Sequence, residues 1–370
     1  MGIEVVGAAL AAALKEAKEE DIVAINWDAN KNAAANIFET IGRTPLVRLN
    51  KVAEGLQPQI MGKIEYFTPT GSLKDRIYYR MITEALKRGD LKPGMTIIES
   101  STGNAGIACA FVGGMLGYPV VIVMPAGMSE ERKMIMRAYG GQIIETPGAE
   151  SDVDLCLEKV KEIKAAEPGK YWEPNQYTNL DNIATHFTTT SPEIWEQTGG
   201  EVDIFVATQG TGGTLTGIGR YLRKMKPEVK LFAVEPTEAP MLARREWGSH
   251  RIEGIGDGFV PRNLDLSILD GIVLTTSDEA IEMGKRLALE EGIFCGISSG
   301  SNVAAALKVA QRYPEAGVIV TMINDTGQRY FSTELCGVKK EIEIPEREHP
   351  MDDYTKEQLD KYQAGWVIIE

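Results

Sequence analysis

The chain has 370 residues, and 39 Lys plus Arg against 53 Asp plus Glu leave a net charge of −14 at pH 7. With 43% hydrophobic and 25% charged residues it can bury a sizeable core, as two domains or one large α/β unit at roughly 100–200 residues per domain. The negative field repels a phosphate backbone and no basic stripe offsets it, which argues against nucleic acid as a partner; an anionic ligand must be held by local backbone donors.

Residues 1–36 are Ala-rich and helix-prone and end in the linker-like run Asp28-Ala29-Asn30-Lys31-Asn32. An appended helix plus connector is expected there, with a frayed tail as the plainer alternative. Met1-Gly2-Ile3-Glu4 places an acid, and no basic region, ahead of the apolar stretch 5–14, so the start reads as a helix rather than a signal peptide. Val6 stands where a myristoylation signal needs Ser or Thr. No apolar run approaches the roughly 18–20 residues that span a bilayer, and a cytoplasmic protein is expected.

From residue 37 to about 335, short β-branched runs at 96–98, 120–123, 204–206, 231–234 and 318–320 alternate with amphipathic segments at 74–88, 130–139, 154–166 and 277–291. Such alternation predicts an α/β fold of parallel sheets flanked by helices. The continuous apolar character of the runs predicts burial on both faces. Residues 339–370 are acidic and Pro-punctuated and are expected to wrap the surface. Cys109, Cys156, Cys295 and Cys336 lie far apart with no C-x-x-C, which argues against disulfides or structural zinc and fits a reducing compartment. His186, His250 and His349 are isolated, so no metal site is expected.

Four segments occupy a strand's end or the start of the following helix, where open α/β sheets bind ligands. Gly210-Thr211-Gly212-Gly213-Thr214 reads as a phosphate cup, because glycines let the backbone curl round an anion and threonines add donors. It lacks the Gly-Lys-Ser/Thr of a P-loop and does not fit G-x-G-x-x-G; a plain strand-helix turn is the alternative. Ser101-Thr102-Gly103-Asn104-Ala105-Gly106 suits a carboxylate, with simple N-capping as its alternative. Lys74 follows the breaker Pro69-Thr70-Gly71 at a helix start, where the positive dipole end favours a neutral, nucleophilic amine; a surface lysine paired with Asp75 is the other reading. The fourth segment is Gly296-Ile297-Ser298-Ser299-Gly300.

The order of these motifs resembles the cysteine synthase and cystathionine β-synthase family of fold-type-II pyridoxal-phosphate enzymes. Asn36-Ile37-Phe38-Glu39-Thr40-Ile41-Gly42-Arg43-Thr44-Pro45-Leu46-Val47 resembles the family's opening, and Pro69-Thr70-Gly71-Ser72-Leu73-Lys74-Asp75-Arg76 its Schiff-base motif. Gln176, Gly254-Ile255-Gly256 and Asp325-Thr326-Gly327 also match, and the likeness spans residues 36–335. The resemblance implies a tryptophan synthase β-like architecture: residues 37–75 and 181–338 as a large cofactor-binding domain, 76–180 as a smaller mobile substrate domain, flanked by the 1–36 extension and the 339–370 tail. It implies pyridoxal 5'-phosphate on Lys74, its phosphate in Gly210, Thr211, Gly212, Gly213 and Thr214, its ring nitrogen at Ser298, and Asn104 and Asp325 as further cofactor residues. The substrate carboxylate falls to Ser101, Thr102, Gly103 and Asn104, with Gln176 and Gly254 assisting. The implied reaction is β-replacement through an aminoacrylate, with Lys74 moving the α-proton, in a homodimer.

Against the family pattern, Thr102 and Ala105 stand where Ser and Thr are usual, and Thr208-Gln209 where Gly and an apolar residue are usual. Asp257 replaces a small residue and can activate water or a thiol, or bind an amino group on the nucleophile; a solvated loop acid is the alternative. A neutral Ser298, rather than a carboxylate, favours elimination and replacement over transamination. No heme-binding extension and no regulatory domain are expected. The leading expectation is L-cysteine synthesis from O-acetyl-L-serine and sulfide, and the alternative is cystathionine synthesis or sulfide release from cysteine. No Arg within 254–258 suggests phosphoserine, although Arg251 lies just before it; the threonines in the cup disfavour a dehydratase, and the intact Lys74 motif disfavours a purely binding role.

Overall fold

The computed structural model describes residues 24–148, 152–338 and 349–370. The helix expected near the start lies outside the described residues, while 27–31 of the expected connector form a 3-10 turn. In chain order the elements are β1 (Leu46–Leu49), β2 (Gln59–Ile64), α1 (Lys74–Arg88), β3 (Thr96–Ser100), α2 (Asn104–Met115), β4 (Val120–Pro125), α3 (Glu130–Ala138) and β5 (Gln142–Thr146). There follow α4 (Val153–Ala166), β6 (Tyr171–Trp172), α5 (Leu180–Thr185), which runs through a π-helical turn at His186–Thr190 into α6 (Ser191–Gln197), then β7 (Ile204–Thr208) and α7 (Gly213–Met225). The last are β8 (Lys230–Pro236), α8 (Met241–Arg244), β9 (Gly271–Thr275), α9 (Ser277–Glu290), α10 (Ile297–Arg312), β10 (Val318–Ile323), α11 (Asp353–Tyr362) and β11 (Val367–Ile369).

The strands form a seven-stranded sheet ordered β1-β2-β10-β7-β8-β9-β11 and a four-stranded sheet ordered β5-β4-β3-β6. All pairings are parallel except β1 with β2, an antiparallel edge in which Leu46 faces Lys63. Successive β7 residues feed opposite cores: Phe205 and Ala207 join the cluster on one face, Ile204 and Val206 that on the other. A strand covered by helices on both sides needs apolar residues at every position, which is why these runs read as continuous rather than alternating. In the smaller sheet Ile97 and Ile98 divide between two further cores in the same way.

Polar residues anchor α1 where the site is built. Arg76, two residues after Lys74, bridges Glu65 and Glu193 at 2.7 Å each, and Lys63 Nζ donates to Glu193 at 2.7 Å and to the Thr44 carbonyl at 2.6 Å. All four charges are buried, and each satisfies the others. Beyond the undescribed residues the chain does more than wrap the surface: Val367-Ile368-Ile369 adds β11 in parallel beside β9. Three consecutive β-branched residues suit that edge, a signal present in the sequence. Among the described residues no helix is long and apolar enough to cross a membrane.

Candidate active site

Helices α1, α2, α7 and α10 all begin at one cleft, into which the ends of β3, β7 and β10 also lead. Lys74, Ser101, Thr102, Gly103, Asn104, Gln176, Gly210, Thr211, Gly212, Thr214, Gly254, Asp257 and Ser298 line it together. Two further residues expected at the cofactor, Gly213 and Asp325, are not among those that line the cleft. Gly213 packs beneath the cup, where an added Cβ would lie 2.0 Å from Asn182 Oδ1. Asp325 is fully buried behind Asn104 and accepts from Asn104 Nδ2 at 2.7 Å and from the Tyr330 hydroxyl at 2.8 Å. It orients Asn104, whose Oδ1 also accepts from Arg329.

Lys74 is the first residue of α1, and the Thr68–Ser72 turn before it is fixed by Asp75, which accepts from the Thr70 amide at 2.7 Å and from the Thr70 hydroxyl. Among the described residues no carboxylate ion-pairs with the Lys74 amine. Desolvation pulls its pKa down to about 8, while the negative charges of Asp257 and Glu99 resist that shift. Burial is therefore the dominant cause; the helix dipole invoked from the sequence adds in the same direction.

In the substrate loop, Ser101 Oγ accepts from the amides of Gly103 at 3.0 Å and Gly106 at 2.8 Å. The capping reading thus holds for its oxygen, which fixes the loop where Thr102, Gly103 and Asn104 line the cleft. Gln176 is buried; its backbone carbonyl accepts from Asn182 Nδ2 at 2.9 Å and Asn263 Nδ2 at 2.8 Å, and its Oε1 has no hydrogen-bond partner.

The cup turns at Gly212, whose φ of +81° disfavours residues with a side chain. A Cβ at Gly210 would meet the Gly254 carbonyl oxygen at 2.6 Å, and one at Gly212 the Leu264 backbone at 2.6 Å. Thr211 Oγ1 accepts from Asn182 Nδ2 at 3.0 Å, and Thr214 Oγ1 lies 3.2 Å from His186 Nε2. Burial, with Arg76 and Lys74 nearby, pushes the His186 pKa well down, so the ring is neutral. Asn182 and His186 escaped the sequence reading, although their i, i+4 spacing puts both on the face of α5 and its π turn that meets α7.

Asp257 is buried in the Gly254–Gly258 turn and receives a hydrogen bond from the Tyr177 hydroxyl. Burial lifts its pKa to about 6 against the pull of Tyr177 and Lys74. Arg132 was also missed. It lines the cleft, pairs with Glu253 and stacks over Tyr330 at 4.6 Å, in space left by the missing side chain of Gly103. Arg251 points elsewhere, to Asp278 at 2.5 Å and to Glu334.

Residues 37–325 match the family described as "pyridoxal-phosphate dependent enzyme". The chain belongs to this family. It is 45% identical over 305 residues to "Cysteine synthase 3" of Caenorhabditis elegans, covering 80% of this chain and 88% of that protein. Among solved structures, a cysteine synthase from Entamoeba histolytica is 39% identical with a TM-score of 0.79, covering 92% of this chain and 98% of the other. A hydrogen sulfide-producing enzyme from Fusobacterium nucleatum is also 39% identical, with a TM-score of 0.77 over 80% of this chain and 100% of the other.

The family's pyridoxal phosphate fits the donor set. The cup offers helix-start amides in a turn whose glycines pack so closely on Gly254 and Leu264 that no side chain fits, Lys74 offers an amine without an ion-pair partner among the described residues, and Ser298 offers a neutral hydroxyl. Among the described residues there is no cluster of three or more His, Cys, Asp or Glu that could hold a metal ion.

Proposed function

We propose that this chain catalyses β-replacement on an amino acid, making L-cysteine from O-acetyl-L-serine and sulfide. The observation that carries the reading is the Lys74 amine, without an ion-pair partner among the described residues and lining the same cleft as a backbone anion cup, a neutral hydroxyl and a capped carboxylate loop. The relatives named cysteine synthase support the substrate pair. Pyridoxal phosphate, when bound, supplies the electron sink that lets Cα lose its proton and Cβ its leaving group.

The chain's own part follows from its residues. Lys74 would hold the cofactor aldehyde, and Gly210, Thr211, Gly212 and Thr214 would take its phosphate. Amides of the Ser101–Asn104 loop, with Gln176, take the substrate carboxylate. Once displaced, the Lys74 amine removes the α-proton; acetate leaves with its electron pair, hydrosulfide adds at Cβ, and Lys74 returns the proton to Cα. Closure of residues 76–180 over the substrate excludes water during that interval. The enzyme is a transferase, acting in the cytoplasm as a homodimer.

Asp257 supports a second reading in which the incoming group is water or an organic thiol, so that the products are sulfide from cysteine, or cystathionine from homocysteine. A buried carboxylate that faces Lys74 and has a pKa of about 6 can accept a proton from such a nucleophile near neutral pH. The hydrogen sulfide-producing relative points the same way. Titration of the holoenzyme with O-acetylserine, serine and cysteine in turn, followed by visible absorbance and product analysis, separates the two. Fast turnover of O-acetylserine with sulfide supports the first; sulfide release from cysteine alone, or cystathionine formation when homocysteine is added to serine or cysteine, supports the second. Turnover of none of the three would remove both.

A further inference from the structure

Asn324 ends β10 and joins two parts of the site. Its backbone carbonyl accepts from the Leu73 amide at 3.0 Å, next to Lys74, and its own amide donates to Ser299 Oγ at 2.9 Å. The side chain is thereby fixed in the cleft wall, where Nδ2 donates to Ser298 Oγ at 3.1 Å and lies 3.5 Å from Thr208 Oγ1.

This contact decides which way the Ser298 hydroxyl points. An oxygen that accepts from Nδ2 keeps its own hydrogen for another acceptor, and no acceptor for it exists among the described residues. Ser298 is buried, so a donor without a partner there is costly unless a ligand completes it. Ser298 is also the second residue of α10, a sixteen-residue helix whose positive end disfavours a cation in front of it. Asp325, the acid next to Asn324 in sequence, is bonded to Asn104 and Tyr330.

We infer that Asn324 is a positioning residue that fixes Ser298 as a hydrogen-bond donor toward the cleft, so that the group facing Ser298 is held as an unprotonated acceptor. The inference rests on the proposed placement of the pyridine nitrogen at Ser298 and gives that placement its direction: the ring nitrogen stays neutral because the Ser298 hydrogen, with no other acceptor among the described residues, is given to it. Thr208, already set apart in the sequence, takes part by sharing the same amide.

The test is nitrogen NMR of the holoenzyme reconstituted with ring-¹⁵N pyridoxal phosphate, with the visible absorbance recorded on the same samples. In the native chain the resonance is expected in the range of a neutral, hydrogen-bonded pyridine. Asn324→Asp presents an acceptor to Ser298, turns its lone pairs to the cleft and should move the resonance far upfield, toward pyridinium. Asn324→Ala should move it less, and should move it not at all when Ser298→Ala is already present.

A pyridinium resonance in the native protein overturns the inference without any variant, as does an unmoved resonance in Asn324→Asp that retains its colour. An Asn324→Ala shift of equal size with and without Ser298 also overturns it. If the native protein takes up no cofactor and shows no visible band, the proposed function fails and the inference with it. A normal band with an unresponsive nitrogen removes the inference alone.

Discussion

At the scale of residues, the account turns on two groups whose protonation is set by burial. The Lys74 amine, lowered from 10.5 to about 8, is mostly charged below that pH and mostly neutral above it. Covalent capture of pyridoxal phosphate by the cofactor-free protein should therefore accelerate with a midpoint near pH 8 and level off above it, as read by stopped-flow absorbance. A midpoint above 10 would contradict the burial. Asp257, raised to about 6, is a carboxylate above that value and a neutral acid below it. If it takes a proton from the nucleophile, turnover with a thiol or water should rise through about pH 6, and Asp257→Asn should abolish that limb while leaving the visible band in place. Identical pH profiles would leave Asp257 a structural acid. Lys74 and the cup stood out in the sequence as a lysine and a Gly-Thr turn at helix starts, and it was the order of the motifs, by family resemblance, that gave them roles over the plainer readings of a surface lysine and a turn. Tyr177 and Arg132 did not stand out, since a hydroxyl aimed at Asp257 and a guanidinium fitted over Gly103 depend on loops brought together only by folding.

At the scale of elements, the site is as rigid as the helix starts that carry it. The start of α1 is fixed by the buried set of Lys63, Glu65, Arg76 and Glu193. Removing one partner leaves a buried charge uncompensated, a loss of about 3–5 kcal/mol. Glu193→Gln should accordingly lower the urea midpoint substantially and loosen cofactor binding, whereas a change within experimental error would mean that the network is not supporting α1. Gly212→Ala combines a left-handed backbone with contact against Leu264. It should weaken affinity for pyridoxal phosphate by about tenfold or more, the equivalent of about 1.4 kcal/mol, measured by titration of the cofactor-free protein. Helices α1, α3, α4 and α9 were readable from their periodicity, α1 spanning the expected 74–88, whereas the longest, α10, was not among the amphipathic segments. Strands β1, β2, β5, β6, β9 and β11 were not drawn from the pattern. Lys63 sits buried in β2 and breaks its apolar run, and β11 is a three-residue edge whose partner β9 is remote in sequence.

At the scale of the whole molecule, two sheets place their strand ends around one cleft, and the substrate loop follows β3 of the smaller sheet while the cup follows β7 of the larger. The division into parallel sheets was legible because continuous β-branched runs alternate with amphipathic segments; the strand order was not, because β10 inserts between β2 and β7 by contacts that no local pattern encodes. Movement of the smaller unit remains our proposal. It predicts that amides of Thr102 and Gly103 gain protection from hydrogen exchange when amino-acid substrate binds the holoenzyme, and unchanged exchange would count against closure. The most direct measurement is a visible spectrum of the purified protein supplied with pyridoxal phosphate. The account predicts a band in the ~400–430 nm region expected of a Schiff base, removed by Lys74→Ala. A colourless native protein, or a Lys74→Ala variant with the same band, would contradict it.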